Sequence, residues 1–148
     1  MPAAAEKLRK FIINYLKNED SGLPDLKLLR KLCKDTSNTD IIAIIKRCRR
    51  NIDNNTCLKV AAKEENFELI SILCEKLSDG EKLRLLKVEA KDGDTTSRVS
   101  WLSIRNGGVT WAIELAKSAT HEALKREIYG EVLIYTCQND DAQALHLL

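Results

Sequence analysis

Apolar residues recur along this chain at three- and four-residue steps, broken by short polar stretches rich in Asn, Asp, Ser and Gly. Leu8, Phe11, Ile12, Tyr15 and Leu16 follow i, i+3, i+4, i+7, i+8, which predicts an amphipathic helix over residues 5–17 with one buried face. NEDSGLP (18–24) closes it, because Gly22 weakens helix propensity and Pro24 is placed to open the next helix in its first turn. Leu26, Leu28, Leu29, Leu32 and Cys33 make a second stripe. DTSNTD (35–40) is rich in capping residues, and Thr39 or Asp40 is placed to accept from the first backbone N–H groups of the helix carrying IIAII (41–45). That β-branched run also suits a buried strand, but a lone strand in a helical chain has no partner, so helix is the preferred reading.

The next segment, TCLKVAAKEENFELISIL (56–73), predicts a short helix with small Ala61 and Ala62, a tight turn, and a second helix with Leu69, Ile70, Ile72 and Leu73. RVSWLSIRNGGVTWAIEL (98–115) and EVLIYTCQNDDAQALHLL (131–148) repeat that order. Arg98 and Glu131 stand 33 residues apart, and Thr56 and Arg98 stand 42 apart. A recurring helix pair cannot bury its stripe alone and stacks on its neighbours, which predicts a solenoid. NIDNN (51–55) supplies turn residues that tolerate left-handed backbone. In 78–94, Leu83, Leu85, Leu86 and Val88 suggest an extra helical turn between turn signals at Asp79-Gly80 and Asp92-Gly93. SATHEALKREIYG (118–130) opens on Ser118 or Thr120 as a cap and continues helically, and the last pair turns at Asn139-Asp140. No segment alternates with period two, so the class is all-α.

These units resemble the ankyrin repeat, whose pattern is a Thr-Pro-Leu-His opening, two small residues in the inner helix, a Gly turn and a Val/Leu-rich outer helix. Thr56, Leu58, Ala61, Ala62, Phe67, Ile70, Ile72 and Leu73 fall on the family's places, and the likeness is strongest over residues 51–77. Gly107, Val109 and Leu115 match in the second unit, and Leu133, Cys137, Leu147 and Leu148 in the third. NIDNN and the Asp92–Thr95 stretch look like inter-repeat turns. The opening motif stands here as Thr56-Cys57-Leu58-Lys59, and Lys59, Trp101 and Ile134 occupy the family's histidine place.

The resemblance implies one domain over residues 1–148, a capping helix at 5–17 and repeat-like units at about 23–50, 51–77, 92–117 and 126–148. It implies a non-catalytic scaffold for protein–protein interaction, the N-terminal part of a larger protein. By that analogy Ile52, Asp53, Lys63, Glu64, Arg105, Asn106, Gln138 and Asn139 form a concave face, whose mixed charge suits a polar protein partner. Another helical repeat and a non-repeat helical bundle are the alternatives.

Composition narrows the function classes further. With 148 residues, 44% hydrophobic and 31% charged, the chain buries a core and is not disordered. The net charge of +2 gives no global field for nucleic acid. Residues 1–53 nevertheless hold 12 Lys/Arg against 7 Asp/Glu, a net of +5, and the remainder carries −3. Lys46, Arg47, Arg49 and Arg50 are the sharpest charged feature. Their preferred role is to complement a helix C-terminus. The alternatives are contact with an import receptor or another acidic partner, and binding of nucleic acid or an anionic membrane through this cluster, with nucleic acid disfavoured because no aromatic is interleaved for base stacking.

Enzymatic chemistry finds little footing. His121 and His146 lie near no cysteine at metal-ligand spacing, CxxC and HExxH are absent, and Asn106-Gly107-Gly108 lacks the Lys-Ser/Thr of a phosphate loop. No catalytic residue, metal site or cofactor is expected. Cys33, Cys48, Cys57, Cys74 and Cys137 are odd in number without paired spacing, which suits free thiols in a reducing compartment. Cations beside Cys48 could lower its thiol pKa, although a buried structural thiol is preferred. IIAII is too short to cross a bilayer and no signal-peptide run opens the chain, so the expected location is cytoplasmic, with nuclear as the alternative. Trp111 is expected in the core, and Trp101 in either core or groove. The chain stops at Ala144–Leu148 inside an apolar pattern, which implies a further repeat beyond it or packing against another molecule, self-association included.

Overall fold

Side-chain caps decide where the first helices begin. In the computed structural model, which describes residues 2–17, 24–87, 98–139 and 146, Asp25 Oδ1 accepts from the Leu28 N–H at 3.1 Å and opens α2 (Leu26–Lys34). Pro24 therefore stands ahead of the cap instead of inside the first turn, since proline offers no acceptor for an orphan N–H. Ser37 does the same for α3 (Asn38–Arg47), its Oγ accepting from the Asp40 N–H at 3.2 Å. Thr39 and Asp40, expected as caps, are first-turn residues of that helix. The IIAII run is helical.

The described residues form helices and no strand; their isolated β-bridge pairs Arg49 with Thr56. They fall into two compact units, Met1–Ala61 with Glu68–Leu77, and Ala62–Phe67 with Ser78–Leu148. Val88, the Asp92–Thr95 turn, Asp140, Ala144, Leu145, Leu147 and Leu148 lie outside the described residues.

In the first unit, α1 (Ala3–Lys17) packs on α2 and α3. Ala5, Leu8, Ile12 and Leu16 line its buried face, while Phe11 and Tyr15 flank it half-buried. Leu29, Leu32 and Cys33 are the buried stripe of α2, whereas Leu28 is 43% exposed because it lies off the i, i+3, i+4 row. Most of α4 (Cys57–Lys63) and of α5 (Phe67–Cys74) completes this unit, with Cys57, Leu58, Val60 and Ala61 buried beside Leu69, Ile70, Ile72 and Leu73. Beyond α5, Lys76 Nζ donates to the carbonyls of Thr36 and Lys34, and Asn38 Nδ2 donates to the Lys76 carbonyl at 3.1 Å. These bonds hold the end of α5 against the α2–α3 turn.

In the second unit, α8 (Val109–Ser118) packs on α7 (Val99–Arg105) and α9 (Glu122–Gln138), and α6 (Asp79–Lys87) packs on α7 and α9. A reciprocal capping box opens α6. Ser78 Oγ accepts from the Glu81 N–H at 3.2 Å, and Glu81 Oε1 accepts from the Ser78 N–H at 2.9 Å. Asp79-Gly80 is consequently the first turn of a helix and not a loop signal. Neither Ser118 nor Thr120 caps α9. Instead Asp79 Oδ2 receives the N–H of Thr120 at 2.8 Å, the N–H of His121 at 3.0 Å and the Thr120 hydroxyl at 3.2 Å.

α9 also runs straight through Gly130, joining the 118–130 segment to the first half of the 131–148 stretch in one helix. Leu124, Ile128 and Val132 lie at four-residue steps and are all buried. Burial of such side chains is worth about 1.5–3 kcal/mol each, more than the roughly 1 kcal/mol that a mid-helix glycine costs.

Candidate interaction surfaces

The chain between α3 and α4 is a locked turn. Arg50 donates through Nε to Asp53 Oδ1 at 3.2 Å and Oδ2 at 3.1 Å, and its Nη2 closes on Oδ2 as well. The Asn55 N–H reaches Asp53 Oδ1 at 3.0 Å, the Arg50 N–H reaches the Asn55 carbonyl at 2.8 Å, and Arg49 Nη1 donates to the Asn54 carbonyl at 3.0 Å. Asn54 takes the left-handed backbone, φ 61°, that lets the loop reverse. Ile52 is carried at the tip, 71% exposed. Asp53, expected on a partner-binding face, spends its carboxylate on holding the turn together.

Three of the four basic-cluster residues, Arg47, Arg49 and Arg50, line one cleft, and Lys46 does not. Lys46 and Arg47 are in the last turn of α3, where they complement the helix dipole. Arg50 is neutralised by Asp53. Arg47, Arg49 and Arg50 join Arg9 and Lys17 of α1 around that cleft of about 600 Å³, with Ile13, Leu16 and Ile52 as apolar lining. The contribution of α1 was absent from the linear motif. Cys48, at the end of α3, is buried in the same cleft wall, and desolvation raises its thiol pKa despite the Arg9 charge. Its neighbours therefore do not activate it.

Two adjoining turns carry the other expected residues. Lys63 and Glu64 close α4, and Arg105 and Asn106 close α7; Lys63, Glu64 and Arg105 are exposed and Asn106 is half-buried. Glu65 takes a left-handed φ of 64° and Gly107 a φ of 102°. A Cβ on Gly107 would stand 3.5 Å from Glu65 Oε1, so the two turns lie side by side. Phe67 presses on Gly108 and stacks on Trp111 at 5.8 Å, which leaves Trp111 half-buried at a turn contact instead of deep in the core.

Asn106 Nδ2 donates to the Leu102 carbonyl at 2.7 Å, and Asn139 Nδ2 donates to the Tyr135 carbonyl at 2.8 Å. Both side chains thus seal a helix C-terminus. Gln138 is exposed at the end of α9, beside a smaller cleft of about 340 Å³ that also contains Trp101, Arg126 and Ile134. Trp101 is half-buried there, edge-on to Tyr135 with ring centres 6.3 Å apart. Ile52, Asp53 and the basic cluster belong to the first unit, and Lys63, Glu64, Arg105, Asn106, Gln138 and Asn139 to the second.

One network had no counterpart in the sequence reading. Glu127 accepts from Lys87 Nζ at 2.8 Å and from Arg98 Nη1 at 3.3 Å, and Arg98 Nη1 stands 3.5 Å from Glu131. Glu131 is buried and accepts from the Ser100 hydroxyl at 2.7 Å. Desolvation raises its pKa, outweighing Ser100 and Arg98, while the Lys87 and Arg98 contacts hold Glu127 below the usual carboxylate range. Hydrogen bonds from the backbone of His121 and Thr120 likewise lower the pKa of Asp79. The signal available in the sequence was Ser100 and Glu131 on helix faces otherwise apolar.

Of the five cysteines, Cys33, Cys48, Cys57 and Cys74 are buried and Cys137 is exposed, all as free thiols. Burial pushes Cys33 up to about 11 and Cys57 higher still. Among the described residues no group of three or more His, Cys, Asp or Glu could hold a metal ion, and no helix is long and apolar enough to cross a membrane. His121 is the N-cap residue of α9, and His146 is exposed. No protein-family model, curated protein or solved structure matches the chain.

Proposed function

We propose that this chain is a non-catalytic protein-interaction module of degenerate, ankyrin-like helix pairs, working in the cytoplasm or nucleus. Its binding face is the polar edge formed by Lys63, Glu64, Arg105 and Asn106. One observation carries the reading: the local geometry recurs in register. α4 and α7 are both seven residues long and begin 42 positions apart. Each is followed by a turn with positive φ at its second residue, Glu65 or Gly107, and then by a helix starting at Phe67 or Val109. The spacing of 33 recurs too, since Asn106 and Asn139 make the same side-chain bond to the carbonyl four residues earlier. A repeated pair presenting its charged turn to solvent is how repeat proteins build binding surfaces.

The test is affinity purification with mass spectrometry, comparing the native chain with Lys63→Ala/Glu64→Ala and with Arg105→Ala, each checked for native helicity. The reading expects both variants to lose the same partner. Equal recovery of every partner by both folded variants removes it.

A further inference from the structure

We propose that the cleft between α1 and the α3–α4 turn binds an acidic peptide segment carrying an aliphatic side chain. The first unit brings five cations to this cleft from two parts of the chain, Arg9 and Lys17 from α1 and Arg47, Arg49 and Arg50 from the end of α3 and the turn after it, Arg50 being paired with Asp53. Among the described residues no Asp or Glu lines it. Arg9 makes an exposed ion pair with Glu6 at 3.4 Å, which in water is worth little and leaves the guanidinium available for exchange. Lys17 and Arg47 end their helices, so each works against about half a negative charge of helix dipole.

Three features select the occupant. Charge complementarity calls for several carboxylates or phosphates. Ile52 stands 71% exposed on the rim, above Ile13 and Leu16, so an apolar group of the ligand gains by covering it. Among the described residues no aromatic side chain lines the cleft for a base to stack on, which disfavours single-stranded nucleic acid. Its concavity suits a chain lying along it better than a flat bilayer surface. The turn that carries Arg49 and Ile52 is already held by Arg50, Asp53 and Asn55, so binding orders little new backbone. This site does not depend on the polar edge of the second unit.

The experiment measures fluorescence anisotropy of a short fluorescein-labelled synthetic peptide, rich in glutamate with interspersed leucines, titrated with the full chain at low ionic strength. A matched peptide with serine in place of leucine reports the apolar contribution. Arg47→Ala and Lys17→Ala should each weaken binding roughly two- to fivefold, in the range of partly exposed charge pairs. Lys46→Ala, in the same linear cluster but outside the cleft, should leave it nearly unchanged. Ile52→Ser should weaken the leucine peptide and leave the serine peptide unaffected. Binding should fade with added salt as the charges are screened, and Lys63→Ala/Glu64→Ala should not alter it.

Equal losses from Lys46→Ala and Arg47→Ala would reduce the site to a diffuse basic patch and overturn the proposal. So would failure of the peptide to bind. Tighter capture of equimolar phosphatidylcholine–phosphatidylserine vesicles, or of an oligouridine strand, would assign the cleft to lipid or to RNA and equally overturn it. Methyl chemical shifts of Ile13, Leu16 and Ile52 supply a second readout, since a peptide seated in the cleft must move all three.

Discussion

Replacing Gly108 with alanine tests whether the α7–α8 turn is set by contact. The φ of Gly108 is −91°, ordinary for any residue, so the substitution introduces no backbone strain. Its cost lies in space. A methyl there would stand 2.7 Å from the Ser103 carbonyl oxygen and 3.0 and 3.1 Å from the Phe67 ring. Neither neighbour can retreat freely. The Ser103 carbonyl already accepts the Gly108 N–H at 2.7 Å, and Phe67 is stacked on Trp111. Overpacking of this kind costs about 1–3 kcal/mol, with about 1 kcal/mol more if the turn hydrogen bond stretches out of range. Gly130→Ala is the control of opposite sign, because nothing lies within 4 Å of its added methyl and the residue is mid-helix. Alanine there should add about 0.5–1 kcal/mol. Trp101 and Trp111 are the only tryptophans and both belong to the second unit, so their emission during heating follows that unit. At roughly 4–8 °C per kcal/mol for a unit of this size, Gly108→Ala should lower the midpoint by on the order of 10 °C and Gly130→Ala should raise it by a few degrees. An unchanged midpoint for Gly108→Ala, or shifts of the same sign for both, would refute the packing argument.

Three further outcomes follow from the same geometry. Native chain treated with an aromatic disulfide reagent should modify Cys137 rapidly and the four buried thiols only on unfolding; fast loss of a second thiol would contradict the burial of Cys33, Cys48, Cys57 and Cys74. Asp53→Ala should destabilise the first unit by about 1–2 kcal/mol in urea, because Arg50 and the Asn55 N–H both lose their acceptor; an unaltered midpoint would mean that the turn does not need the carboxylate. Glu131 has a raised pKa in the fold, so the folded chain holds its proton more tightly than the unfolded one, and this group's contribution to stability declines as pH rises above the usual carboxylate range. Glu131→Gln cannot ionise, so its stability relative to the native chain should improve between about pH 4 and about pH 7; a constant or reversed difference would show that Arg98 dominates over desolvation.

Where local chemistry decides, the helices were readable from residue type. The buried row of α1 follows from spacing, whereas the helix at IIAII was open to a strand reading and was preferred only because a lone strand has no partner. Boundaries were harder. Asp25 and Ser37 displaced the expected Pro24, Thr39 and Asp40 because several adjacent residues could cap and only the one with extended backbone did so. The continuity of α9 through Gly130 was illegible for another reason. Glycine punctuates a helix only when tertiary burial does not compensate, and here the row Leu124, Ile128, Val132 spans it. Asp79 shows the limit most sharply: no rule of local sequence links it to Thr120 and His121, about forty residues on, yet it takes the hydrogen bonds that a local cap was expected to supply.

The basic cluster marks the same boundary for function. In the sequence Lys46, Arg47, Arg49 and Arg50 form one motif, and charge density along the chain is all that can be read there. Folding divides it by direction and by partner. A three-residue step brings Asp53 back onto Arg50, so a charge counted as available is neutralised by the turn it helps to form. The break at Cys48 separates the helical pair Lys46 and Arg47 from the extended pair, and Lys46 does not line the cleft. What joins Arg47, Arg49 and Arg50 in the cleft is Arg9 and Lys17, about thirty to forty residues earlier, brought in because the buried row of α1 packs on α3 and leaves its cationic flank toward the turn. The potential that a ligand meets is thus set by hydrophobic packing of α1 as much as by the basic residues themselves. Substitutions that shift α1 without removing any charge, such as Ile12→Ala in its buried row, should therefore weaken anion binding alongside stability, whereas removal of Lys46 changes the net charge and little else.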